Sequence, residues 1–157
     1  RVKSGGGRIG FSLSDTFCVE RHKPDFLDLF ARDIDIMLAN FAEAQTLLDV
    51  TDMADIIAAM QNAGVDGAIT CGEEGAVIVR GDEAVRVYAH TVETVTDLTG
   101  AGDQFAAGYL CGVARGSSAQ TCGRMGALAA AEVIQHFGPR PEKDLRAVFT
   151  AHGFEVG

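Results

Sequence analysis

Short apolar runs alternate with longer stretches in which apolar residues recur every three or four positions, and the alternation persists through the first seventy residues. The runs predict buried strands and the periodic stretches predict helices. Arg8 to Leu13 (RIGFSL) predicts the first strand, followed by a polar turn "SDTF" and a helix "PDFLDLFARD" that starts on Pro24. "IDIMLAN" predicts a second strand ending in Asn40, and "FAEAQTLLDV" a second helix. Thr51 to Asn62 predicts a third helix, with Thr51 placed to cap it and Gly64 to stop it. Gly67 to Cys71 (GAITC) completes the series as a third buried strand. Strands that alternate in this way with helices imply βαβ units and a mostly parallel sheet, so the expected fold class is α/β.

The pattern then changes twice. "AVIVRGDEAVRVYA" is two β-rich runs around "RGDE" and predicts an antiparallel hairpin on the sheet edge. After it come two long Ala-rich and Gly-rich helices, Asp103 to Arg115 and Ser118 to His136, joined by "GSS", whose serines supply an N-cap. "GPRPEKD" interrupts the helical pattern and "LRAVFTAHG" predicts a closing helix. The opening "RVKSGGG" reads as a helix tail stopped by glycines, and without an initiator Met the chain is expected to be a piece of a longer one.

Composition narrows the classes. A chain of 157 residues suits one domain, and at this size folding buries about 68–70% of the unfolded surface. It is 47% hydrophobic and 22% charged, with a mean hydropathy of +0.13, the balance of a globular protein. A formal charge of −9 argues against a nucleic-acid partner, because such binding rests on Lys and Arg neutralising phosphates. No apolar run approaches the roughly 20 residues of a membrane span. Cys18, Cys71, Cys111 and Cys122 show no CxxC pair, and are expected as reduced, buried thiols of a cytoplasmic protein. His22, His90, His136 and His152 are equally dispersed, which argues against zinc.

Two glycine patterns compete for attention. Gly5, Gly7 and Gly10 satisfy G-x-G-x-x-G, but that fingerprint needs the order strand, turn, helix, and here the glycines precede a strand. They are expected to stop a helix. "DLTGAGDQFAAGYLCG", from Asp97, is different: its glycines can expose successive N–H groups, and the helix start behind them adds a positive dipole end. Asp103 falls at or just before the first helical turn, where it can be an N-cap. It can also be a base beside an anion-binding turn, taking a proton from a hydroxyl while the amides stabilise a transferring phosphoryl group.

That stretch resembles the second signature of the ribokinase-like (PfkB) carbohydrate kinase family, D-T-x-G-A-G-D followed by a small-residue helix, with Leu98 in place of the first Thr. "ANFAEA" from Ala39 resembles the family's N-x-x-E motif, "TCGEEG" from Thr70 its T-x-G-x-x-G segment, and "AAAEVIQHFGPRP" its nucleotide-proximal helix and loop. The details lean toward adenosine-kinase-like members. The resemblance implies a Rossmann-type three-layer α/β/α domain and an ATP-dependent kinase acting on a primary hydroxyl of a sugar or nucleoside. It implies Asp103 as general base and the N–H groups of Gly100, Ala101 and Gly102 as an anion hole. Thr70, Gly72 and Gly75 would meet the nucleotide's ribose and phosphates. Asn40 and Glu43 would organise Mg2+ and its waters, although the same spacing is that of a helix capping box. Asp97, with Thr99 and Gly138, would form a monovalent-cation site, usually K+.

The departures matter as much. Ala127 falls where many members carry Asn or His beside the adenine, which leaves base contacts to Val133 and His136. Glu73 and Glu74 bring negative charge close to the expected phosphates, unless they point to solvent. The family's N-terminal half, with its acceptor-binding motif and its lid, which often forms a homodimer contact, has no counterpart in this sequence. Residues 1–157 are thus expected to be the nucleotide-binding and catalytic part. The alternative expectation is a nucleotide-binding module that is catalytically silent as it stands.

Overall fold

The structure, a computed structural model, describes residues 2–155. In chain order it contains β1 (Gly10–Ser12), α1 (Thr16–Arg32), β2 (Ile36–Asn40), α2 (Phe41–Leu48), α3 (Met53–Ala63), β3 (Asp66–Thr70), β4 (Ala76–Arg80) and β5 (Glu83–Val87). Three further helices follow: α4 (Ala101–Ala114), α5 (Ala119–Val133) and α6 (Leu145–Ala151). The five strands lie in the order β1-β2-β3-β4-β5, with β1, β2 and β3 parallel. Only Gly81 and Asp82 separate β4 from β5, so these two form an antiparallel hairpin with β5 at the edge. The chain divides into two compact units, the first running up to Cys71 and taking in Val77–Val85, the second comprising Gly72–Ala76 and the chain from Arg86 on.

In the first unit the buried runs become strands because both faces of a parallel sheet are covered. Four of the five residues of β2 are buried, and so are the three central residues of β3. Met37 and Ala39 of β2 and Ile69 of β3 pack with Leu13, Val19, Leu47, Ile56 and Met60 into one core cluster. Two helix starts in this unit differ from the sequence reading. Helix α1 begins at Thr16, not Pro24, because the Asp15 carboxylate accepts the Cys18 N–H at 2.8 Å and caps a first segment. A kink at His22 then lets Pro24 start a second one. Helix α3 is capped by Asp52, not Thr51, through a 2.9 Å bond from the Asp55 N–H. Ahead of β1 it is Gly6, and not Gly5, Gly7 or Gly10, that closes a 3₁₀ turn over Lys3–Gly5, and Gly10 opens the strand itself.

The second unit is helical, and glycine composition governs how α4 meets α5. A Cβ built on Gly108 would lie 2.4 Å from the Met125 carbonyl oxygen, and one on Gly126 would lie 2.9 Å from that of Phe105. The two backbones therefore touch where an alanine would hold them apart. Ser118 caps α5 by accepting the Thr121 N–H at 3.2 Å. On another side α5 packs Met125, Leu128 and Ala129 with Phe149 of α6. The four cysteines form no disulfide with one another, and only Cys122 is buried. Among the described residues no helix is long and apolar enough to cross a membrane.

Because a methyl at Gly108 must displace backbone, Gly108→Ala is expected to destabilise the protein by about 1–3 kcal/mol. Urea unfolding of the full-length variant measures this as a lowered midpoint with an unchanged slope.

Candidate active site

Two clusters of candidate residues form, one in each unit. In the second unit the chain turns sharply into α4 at Gly100, the N-cap, with φ +82° and no side-chain cap. A Cβ there would lie 2.6 Å from the Pro139 Cβ. Conformation and space both demand glycine. The helix begins at Ala101, two residues earlier than expected, so Asp103 is the third helical residue and not the cap. Its side chain is exposed, and among the described residues it takes no hydrogen bond. The N-cap reading of Asp103 is thereby excluded.

The amides of the turn divide unequally. The first helical bond runs from Gln104 N–H to the Gly100 carbonyl at 2.9 Å, and the Ala101 N–H donates to the Leu98 carbonyl at 3.1 Å. Of the three amides expected to line the turn, Ala101's is thus taken up by the turn itself. Those of Gly100 and Gly102 have no partner among the described residues, and the Asp103 N–H joins them. These donors lie at the positive end of α4, an arrangement that suits an anion.

Asp97, Thr99 and Gly138, grouped by the family resemblance, lie together in the structure. Asp97 Oδ1 accepts the Thr99 N–H at 2.9 Å and its hydroxyl at 2.7 Å, and Oδ2 accepts the Gly138 N–H at 3.0 Å. The Gly138 N–H above all, then the two Thr99 donors, hold the Asp97 carboxyl below its ordinary value of 3.8. Asp97 is therefore an anion across the ordinary pH range. Pro139 lies against Gly100, and Gln104 Nε2 donates to the Pro139 carbonyl at 3.1 Å. Segment 138–139 is thus held against the turn from both sides of Gly100.

The two expected base contacts fare differently. Val133 is fully buried, so it is a packing residue and offers no surface to a base, a correction to the sequence reading. His136 is half-buried, with Nε2 3.3 Å from a Glu132 oxygen. Burial works to lower its pKa, but the Glu132 hydrogen bond, the Phe137 carbonyl and the charges of Glu142 and Glu132 outweigh it, and the ring's pKa stands above 6.5. Sequence reasoning missed Glu132, Gln104 and Pro139. The signal for Glu132 was present: a single acid inside the apolar run "GALAAAEVI".

In the first unit, Asn40 and Thr70 end β2 and β3 as register partners, at the carboxyl ends of parallel strands where open α/β sheets bind ligands. The Thr70 hydroxyl makes a long 3.5 Å bond to the Ala39 carbonyl. Asn40 caps α2 and closes a full capping box: its Oδ1 accepts the Glu43 N–H at 2.9 Å, while Glu43 accepts the Asn40 N–H at 2.9 Å and Nδ2 at 2.6 Å. Glu43 is 6% exposed. Burial foremost pushes its pKa up, against the Asn40 hydrogen bond and with help from the Asp15 charge. Among the described residues no three His, Cys, Asp or Glu side chains gather to hold a metal directly. A carboxylate already held by two donors fits an ion that keeps most of its waters, as magnesium does.

Gly72 and Gly75 both have positive φ, at +58° and +95°. Nothing lies within 4 Å of a Cβ built on Gly72, whereas one on Gly75 would lie 2.1 Å from the Val87 carbonyl oxygen. Gly72 therefore leaves open space, and Gly75 answers a packing demand. Glu73 and Glu74 are exposed, and Glu74 pairs with Arg86 at 2.5 Å.

Comparison with known proteins identifies this arrangement. The pfkB family carbohydrate kinase model matches residues 12–145, and the chain belongs to that family. A solved structure described as an adenosine kinase from Sinorhizobium meliloti and one described as a probable sugar kinase protein from Rhizobium etli CFN 42 each superpose with a TM-score of 0.92 at 39% sequence identity. Each match covers 96% of this chain and 46% of that one. The chain is also 29% identical over 136 residues to a cytidine kinase of Thermococcus kodakarensis, covering 85% of this chain and 49% of that protein. The fold is thus the ribokinase-like α/β fold expected from the sequence, and the chain spans about half the length of these three relatives.

Since the folded pKa of Asp97 is depressed, its stabilising contribution is present above the unfolded value of about 4 and is lost as pH falls through the folded value. Asp97→Asn is expected to lower the melting temperature at neutral pH, and the gap to wild type should close below about pH 4. Thermal unfolding of both proteins across that range measures it.

Proposed function

We propose that this chain is the nucleotide-binding and catalytic part of an ATP-dependent kinase that phosphorylates a primary hydroxyl of a nucleoside or sugar. The observation that carries the reading is the mouth of α4, where an exposed, unpartnered carboxylate stands beside unpartnered amides at a helix N-terminus. In this reading Asp103 takes the proton of the acceptor hydroxyl. The N–H groups of Gly100 and Gly102, with the α4 dipole behind them, hold the charge of the transferring phosphoryl group. Thr70, Gly72 and Gly75 meet the ribose and phosphates of ATP, and His136 lies beside its base.

Asn40 and Glu43 would hold Mg2+ through its waters. Magnesium bound there supplies charge neutralisation to the phosphates. Asp97, kept anionic by its donors, suits a K+ site with Thr99 and Gly138. Acceptor recognition falls to parts of the protein outside these residues. Likeness to an adenosine kinase favours adenosine, with ribose or fructose next. A second reading, a nucleotide-binding module without turnover of its own, draws on the share of its relatives that the chain spans.

In the full-length protein, Asp103→Asn is expected to cut phosphoryl transfer by about 10²–10⁴-fold. ATP affinity, measured by calorimetry, should change by no more than a few fold. Turnover that survives the substitution would overturn the assignment.

A further inference from the structure

Helix α5 buries one acid that the proposed reaction does not use: Glu132, 4% exposed. Three donors converge on it. Oε1 accepts the backbone N–H groups of Glu142 at 3.1 Å and Lys143 at 2.9 Å, and Oε2 lies 3.3 Å from His136 Nε2. A buried carboxylate is costly unless its oxygens are satisfied, and here they are satisfied by a loop and not by a neighbouring helix.

The same loop has a second set of anchors. Thr96 N–H donates to the Ile134 carbonyl at 2.8 Å, the Thr96 hydroxyl to the Gln135 carbonyl at 3.0 Å, and Gly138 N–H to Asp97 at 3.0 Å. Gln104 donates to the Pro139 carbonyl. These run to the turn that opens α4, to the residues just before it, or to the first helical turn behind it. Segment 134–143 is therefore tied at its start and middle to that turn and at its far end to Glu132. Pro139, between the two, occupies the space a side chain at Gly100 would need.

We infer that Glu132 is a positioning residue: by fixing the far end of this loop it holds Pro139 and Gly138 in place, and through them Gly100 and the amides at the mouth of α4. The inference rests on the kinase reading of that turn. Glu132 touches neither nucleotide nor acceptor. Its effect should therefore fall on the chemical step, where amide geometry matters to developing charge, more than on nucleotide binding.

The test compares Glu132→Ala with Glu132→Gln in the full-length protein. Glutamine keeps a carbonyl oxygen for the Glu142 and Lys143 amides, and alanine offers none. Glu132→Ala is expected to lower kcat about tenfold or more while KM for ATP stays within about threefold. The Gly138 amide should exchange its hydrogen about tenfold faster than in wild type. Glu132→Gln should restore both readouts to within about threefold of wild type. A Glu132→Ala protein that melts earlier but keeps wild-type kcat and Gly138 exchange shows a merely stabilising role and overturns the inference. If Glu132→Ala does not fold, Lys143→Pro removes one donor and keeps the carboxylate, and the same two readouts decide. Should wild type show no kinase activity, the functional reading fails, while Gly138 exchange still decides the coupling.

Discussion

One carboxylate joins two segments that lie 41 residues apart in the chain. Asp97 takes two donors from its own turn and one from Gly138, the neighbour of the Pro139 that lies against Gly100. Because Pro139 fills the space beside Gly100, the left-handed turn is fixed from outside as well as by its own backbone. The orientation of the first amides of α4 follows from that turn. A charged group with every oxygen satisfied is well suited to this task, since charge-assisted hydrogen bonds are about twice as strong as neutral ones.

Glycine does a different job behind the turn. Gly108 and Gly126 allow α4 and α5 to touch along their backbones, and this gives the mouth of α4 a stiff support. In the first unit the corresponding support is the capping box, in which Asn40 and Glu43 satisfy each other at the end of β2. Both candidate clusters thus sit where a regular element begins and backbone amides are left over.

Much of this was legible because it is local. Strands β2 and β3, helices α2 and α5, the hairpin and the glycine turn are written in consecutive residues whose period or spacing is self-contained. Where neighbouring residues competed for one role, pattern alone misjudged: Asp15 inside "SDTF" caps a helix, and Asp52 displaces Thr51 as the cap of α3. The glycine turn carries the expectation of anion binding, but the bond that occupies the Ala101 amide depends on how tightly the turn winds. Val133 matched a position in a pattern, and its burial is a property of packing. Glu132 was overlooked because its partners lie ten and eleven residues further on, in a loop without periodicity.

The bond between Asp97 and Gly138 also has a meaning in time. Helix α4 is complete at Ala114, yet the Asp97 carboxylate receives its third donor only after 41 more residues than itself have been made. At a synthesis rate of about 5–20 residues per second, the 24 residues from Ala114 to Gly138 take roughly 1–5 seconds. A nascent chain therefore carries the helix for some seconds before its mouth acquires its shape, and the turn is among the last parts of the second unit to become competent.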